Sequence, residues 1–242
     1  MNGNPSAERI CLCMRLNNAV KWTCDRLTKD ADFGKAIIFS DEAHFDLDGY
    51  VNKKNCHIWG TYIEKPTHPK QVTVCCGFWS RGIIGPFVFE NEQGEAVTVN
   101  RARYRPMLNE FLFTKIEEED IGNIWFQQDY ATCHTAETTL DVLRPVFEDR
   151  IISRRSDIIW PPRSCDLTPL NYYLWDAAKD NSYAEKPETI DALKDNIRQW
   201  RSLSAHVERI FVQKNRRRGY WQHLFSTGRN YVPHSRSYTR CF

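Results

Sequence analysis

The sequence predicts an α/β domain built on a mixed β-sheet flanked by helices. Three observations carry this: β-rich stretches separated by turn signals come first, short apolar strands alternate with helical periodicity afterwards, and two of the strands run into an acid.

Residues 7–29 form an imperfect apolar stripe (Ile10, Met14, Leu16 to Val20) and read as a helix. In "KAIIFSDEAHFDL" the run Ile37, Ile38, Phe39 predicts a buried strand ending near Asp41. Asp48-Gly49 is a turn signal, after which "YVNKKNCHIWG" can return as a second strand. "QVTVCCGFWS" and "IGPFVFE", joined at "RGI", predict a hairpin. "TVNRARYRPMLNEFLFTKI" then switches to helical spacing, with Tyr104, Met107, Leu108, Phe111 and Leu112 on one side.

"NIWFQQD" predicts a short buried strand ending at Asp129. "TAETTLDVLRPVFED" predicts a helix with Thr135 as N-cap, and "RIISRR" another strand. "LTPLNYYLWDAAKD" opens with Thr168 at the N-cap and Pro169 at the first helical position, the preferred order for a helix start. "TIDALKDNIRQWRSL" is one more amphipathic helix. The chain divides into a helical segment (1–30), the α/β domain (31–200) and a basic tail (201–242).

Composition narrows the function. No apolar run approaches about 18 residues, so no membrane span is expected. The first residues have no charged segment followed by an apolar one, which leaves an intracellular protein as the expectation. Nine cysteines at irregular spacings, with no C-x-x-C, predict reduced, mostly buried thiols rather than disulfides or zinc. The eight tryptophans are placed mostly in the core. The formal charge is only +2, but residues 211–242 carry seven basic residues and no acid, so the tail is +7 and the body −5. Lys214, Arg216, Arg217 and Arg218, with aromatics interleaved, suit contact with a phosphate backbone; a solvated terminus is the alternative.

Two carboxylates at strand ends, Asp41 and Asp129, can converge on one edge of a mixed sheet and offer the all-oxygen environment that hard cations such as Mg²⁺ prefer. With a third donor from a helix start, such an edge supports two-metal phosphodiester chemistry. Strand-end aspartates are also common turn formers.

The stretches "FSDEAHF", "GYVNKKNCHIWG", "QVTVCCGFWSRGIIGPFVFEN", "WFQQDYATCHTA" and "WPPRSCDLTPLNYYLW" together resemble the catalytic domain of mariner-type transposases, within the ribonuclease H-like integrase superfamily. The resemblance spans about residues 30–200 and implies a ribonuclease H-like sheet, Mg²⁺ or Mn²⁺ as cofactor, DNA as partner, a homodimer as a candidate assembly, and a nuclear location. It matches Asp41 to the first catalytic acid and Asp129 to the second. The third acid closes the pattern Asp-Leu-x-Pro-x-Asp/Glu, which here reads "DLTPLN", so Asn171 stands at that position, with 41 residues between it and Asp129.

An amide offers a carbonyl oxygen but no charge and cannot act as a base, so impaired strand transfer is the expectation. Tyr130 stands where the motif usually has Gly, and a side chain there restricts the backbone beside Asp129. His134 matches a family position; contact with DNA, proximity to the metal and simple local packing all remain open. Arg154, Arg155 and Arg163, near the third motif, are candidates for phosphate contact. Only 38 residues precede Phe39, fewer than the helix-turn-helix modules such transposases carry, so sequence-specific recognition is expected to be absent. Three functions compete: an impaired transposase domain, a non-catalytic DNA-binding or interaction protein of the same fold, and a decaying reading frame.

Overall fold

The computed structural model describes residues 22, 25–26, 29–30, 33–47, 70–160 and 168–203. Six strands form one sheet in the order β3-β2-β1-β4-β5-β6. The strands are β1 (Ile37–Asp46), β2 (Gln71–Trp79), β3 (Gly82–Val88), β4 (Trp125–Gln127), β5 (Ile151–Ser153) and β6 (Ile158–Ile159). β1, β2 and β3 pair antiparallel, while β4, β5 and β6 extend the sheet in parallel from β1. This is the mixed sheet that the order of elements predicts, with parallel pairing where helices cross over.

The helices are α1 (Arg101–Met107), α2 (Thr114–Glu118), α3 (Glu137–Phe147), α4 (Trp175–Tyr183) and α5 (Ile190–Leu203). The helix expected over 98–116 is broken into α1 and α2 by a π-helical segment, Leu108–Phe113, which follows Pro106. A proline cannot donate the backbone bond its position requires, and a wider turn next to it re-satisfies the ladder. A second π-helical segment, Leu170–Leu174, leads into α4.

Alternation along β1 separates two cores. Phe39, Ala43 and Phe45 face one layer with Leu170, Leu174, Trp175, Leu193, Ile197 and Trp200, whereas Ile38 faces the other with Tyr104, Leu108, Leu140, Leu143 and Phe147. Helices α4 and α5 therefore cover one face, and α1 and α3 the other. Lys194, on the buried side of α5, reaches Glu90 at 3.1 Å, and Arg198 binds the same carboxylate, which pins α5 to the segment after β3.

Three further expectations change. β1 does not end at Asp41 but continues to Asp46, because pairing with β2 runs from Phe39↔Phe78 to Asp46↔Gln71 and supplies backbone partners beyond the apolar run. Thr135 is not an N-cap: Ala136 takes that position without a side-chain hydrogen bond, and Thr135 is held in a turn by its N–H to Ala131 O, 3.1 Å. The pair Ile158–Ile159 adds a strand, β6, in a stretch to which the sequence assigned no element. Thr168 does start its helix, through its backbone carbonyl, which accepts from Asn171 N–H at 3.0 Å. The return strand expected in "YVNKKNCHIWG" and the basic tail lie outside the described residues, as does the 7–29 helix except at Trp22, Asp25, Arg26 and Lys29. All four are helical.

Candidate active site

Register brings the two acids together. β1 and β4 run parallel, with Phe39 opposite Gln127 as the last pair, and Asp41 and Asp129 each follow two residues on, close enough for the charge of Asp129 to act on Asp41. β4 stops at Gln127 while β1 continues, which leaves Asp129 on a turn beside the middle of β1.

Asp41 is almost completely buried, on the α4/α5 face. Trp175 Nε1, from the first residue of α4, donates to its Oδ2 at 3.0 Å. Burial, followed by the negative charges of Asp129 and Glu42, holds the Asp41 carboxyl well above the usual carboxylate range, and the tryptophan N–H only partly offsets this. The site thus gathers negative charge around a buried carboxyl.

Asp129 is held differently. Its Oδ1 accepts the Ala131 N–H at 2.8 Å and lies 2.5 Å from His134 Nδ1. His134 Nε2 is 3.2 Å from Glu42, so the imidazole bridges two carboxylates. Burial opposes charge on His134, but Glu42 and the Asp129 hydrogen bond overcome it and place its pKa well above the ordinary histidine value. Burial alone would raise Asp129; the His134 hydrogen bond and charge, with the Ala131 N–H, bring it below the usual range. Asp129 keeps 37% of its side chain exposed, so it remains open to a ligand.

Glu42 points to the opposite face of β1 from Asp41, as strand alternation requires. His134 has no exposed surface and both ring nitrogens face carboxylates, so it orients Asp129 from behind and does not form part of a nucleic-acid-facing surface. Its ring packs on Tyr104 with centroids 4.4 Å apart, and buried Gln128 Nε2 donates to its carbonyl at 2.9 Å. Sequence reasoning missed Tyr104, Gln128 and Trp175 as supports of the site. Trp175 had a signal, since it follows Asn171 by four residues on the same helical stretch.

Asn171 lies on the π-helical segment that packs against β1, one turn before the tryptophan that touches Asp41. Asp166 and Arg163 lie outside the described residues. Tyr130 is half-buried against the α4/α5 core, its hydroxyl lacks a partner among the described residues, and Arg154 Cζ stands 5.1 Å from its ring centroid. Arg155, the next residue, is exposed. Among the described residues no group of three His, Cys, Asp or Glu could hold a metal ion. Two carboxylates with a nearby amide form an all-oxygen donor set that fits a hard divalent cation better than a soft one.

No protein-family model matches the chain, and no curated protein does. Solved structures do. The catalytic domain of Mos1 mariner transposase superposes with a TM-score of 0.64 at 20% identity, covering 96% of this chain and 98% of that one. The fold is that of the Mos1 catalytic domain. A second structure of the Mos1 catalytic domain, with raltegravir and Mn, gives a TM-score of 0.63 at 19% identity over 96% of this chain and 99% of that one. The Mos1 transposase paired-end complex with left transposon end gives 0.65 at 17% identity. This chain covers 65% of the transposase in that complex. The ribonuclease H-like fold expected from the motifs is therefore present.

Proposed function

We propose that the chain is a transposase-derived nucleic-acid-binding protein whose site resembles that of metal-dependent DNA strand cleavage and transfer, with catalysis impaired at Asn171. The single observation that carries the reading is the placement of Asp41, on β1, beside Asp129, on the turn just after the neighbouring parallel strand β4, one buried and one open. The similarity to Mos1, solved with left transposon end and with Mn, supports DNA as partner and Mg²⁺ or Mn²⁺ as cofactor. A nuclear location and a homodimer follow from the same reading.

Asp41 and Asp129 would hold the cation, with the Asn171 carbonyl as a neutral third donor. When bound, the metal would activate water and stabilise the leaving oxygen of a phosphodiester. This chain's own residues do the rest. Trp175 fixes the Asp41 carboxylate by its Oδ2, and His134, itself held by Glu42, fixes Asp129. Replacing a carboxylate by an amide removes one negative charge; a unit charge pair at 4 Å and an effective dielectric near 20 is worth about 4 kcal/mol. A deficit of that order separates a metal site that fills at millimolar Mg²⁺ from one that does not. The same substitution favours a second reading, a non-catalytic DNA-binding protein of the same fold.

Plasmid nicking with Mg²⁺ or Mn²⁺ tests both. The native chain is expected to be silent, Asn171→Asp to nick, and Asn171→Asp with Asp41→Ala to be silent again. Asp41-dependent nicking by the native chain would show that Asn171 does not disable the site. Silence of Asn171→Asp, with duplex binding retained, would favour the non-catalytic reading.

A further inference from the structure

On the far side of the turn that carries Asp129, a cavity of about 330 Å³ opens between α1, the start of α3 and the turn after β5. Arg101, Arg154 and Arg155 line it, together with Thr135 and Thr138. None of these three guanidiniums has a carboxylate partner among the described residues. Three other arginines are paired: Arg144 with Glu137 and Asp141, Arg150 with Glu148, and Arg198 with Glu90 and Asp195. The one acid at the cavity, Glu137, is engaged by Arg144 at 2.6 Å.

Two further features give the cavity a polarity. Thr135 is more than nine-tenths buried and lines it, and its hydroxyl has no hydrogen-bond partner among the described residues. Helix α3, eleven residues long, begins there with no side-chain cap, so its first N–H groups and the positive end of its dipole face the same space. Unpaired cations, a buried hydroxyl and uncapped amide donors share one complement: an oxyanion with several acceptor oxygens.

The geometry points to a seat for a backbone phosphate of a nucleic acid, held by Arg101, Arg155 and the Thr135 hydroxyl, with Arg154 bridging it through Tyr130 to the Asp129 turn. This rests on the nucleic-acid reading above and deepens it. Thr132, three residues after Asp129, lines the seat, and Arg154 links it to the Tyr130 ring beside that acid. A single phosphate in a nucleic acid and a free inorganic phosphate share this chemistry, and the test separates them.

The measurement is the salt dependence of binding to a fluorescein-labelled DNA duplex, in EDTA, for the full chain, Arg101→Gln/Arg155→Gln, Thr135→Val, and Arg198→Gln as a control. Removing one cation that neutralises a backbone phosphate is expected to make the slope of log K against log salt shallower by about 1. The expected result is a shallower slope for the double variant, weaker binding for Thr135→Val, and no change for Arg198→Gln, with circular dichroism unchanged throughout. A native chain that binds no duplex overturns this seat and the nucleic-acid reading together. Duplex binding with an unchanged slope in the double variant, or an equal change in Arg198→Gln, overturns the seat alone. Thermal stabilisation by inorganic phosphate that needs Arg101 and Arg155, without any effect of the double variant on duplex binding, assigns the cavity to a free anion and overturns the backbone seat.

Discussion

Replacing Asp41 by Asn should stabilise the metal-free protein at neutral pH. The side chain is isosteric, it keeps an oxygen to accept from Trp175 Nε1, and it removes a buried negative charge. The charge of Asp129 acts on the Asp41 carboxyl, and a like-charged pair about 6 Å apart sets the scale of that repulsion. At an effective dielectric near 20 their repulsion is about 3 kcal/mol. His134 partly neutralises Asp129, which leaves a net gain on the order of 1–2 kcal/mol for Asp41→Asn. For a domain of this size that is roughly 2–8 °C in Tm.

The pH dependence has a definite sign. Because the folded-state pKa of Asp41 is raised, its contribution to stability is fully present below the ordinary carboxylate pKa and is lost as pH rises through the raised value. The native chain and Asp41→Asn should therefore converge in acid and separate toward neutrality. Thermal unfolding followed by tryptophan fluorescence in EDTA, from about pH 4 to 8, reads this directly. Added Mn²⁺ should then stabilise Asn171→Asp more than the native chain, because only the former restores the missing negative charge. An Asp41→Asn protein that is less stable than the native chain at neutral pH would refute the claim that Asp41 is an electrostatic burden accepted for a cation.

Other changes test the supports. Glu42→Gln takes one carboxylate from buried His134 and should cost about 1–3 kcal/mol in urea unfolding. With the raised His134 pKa brought down, the stability that the protonated ring provides should be lost at lower pH than in the native chain, as followed by imidazole NMR signals. Trp200→Ala empties a ring that is 2% exposed under the sheet and should cost about 3–5 kcal/mol, seen as a lower denaturation midpoint. Gly77→Ala would place a methyl 3.2 Å from Ile38 Cγ2 and 3.3 Å from Ile84 Cβ, and should cost about 1–3 kcal/mol by the same assay.

The sequence by itself determined the element types and the pair of acids. Apolar runs and helical spacing carry local information: Ile37 to Phe39, Val72 to Phe78 and Ile151–Ile152 are legible as strands, and the stripe from Leu193 to Trp200 as a helix, because each pattern reflects which face is buried. Asp41 and Asp129 were legible because each follows a short apolar run, and Asn171 because a motif sets the expected residue there.

Tertiary structure decided what local pattern does not encode. β1 runs on from Asp41 to Asp46 because β2 pairs with it, a long-range backbone interaction that no apolar run announces. Ala136 took the cap from Thr135 because the turn from Ala131 claimed the threonine's backbone first. His134 reads in sequence as a polar residue near an acid; only the fold brings Glu42, 92 residues away, to its other nitrogen, and turns it from a surface group into a buried bridge. Trp175 reaches Asp41 across 134 residues for the same reason. Charges and hydrogen bonds act through space over a few ångströms, so the partners that set the chemistry of a site are chosen by chain topology rather than by neighbours along the chain.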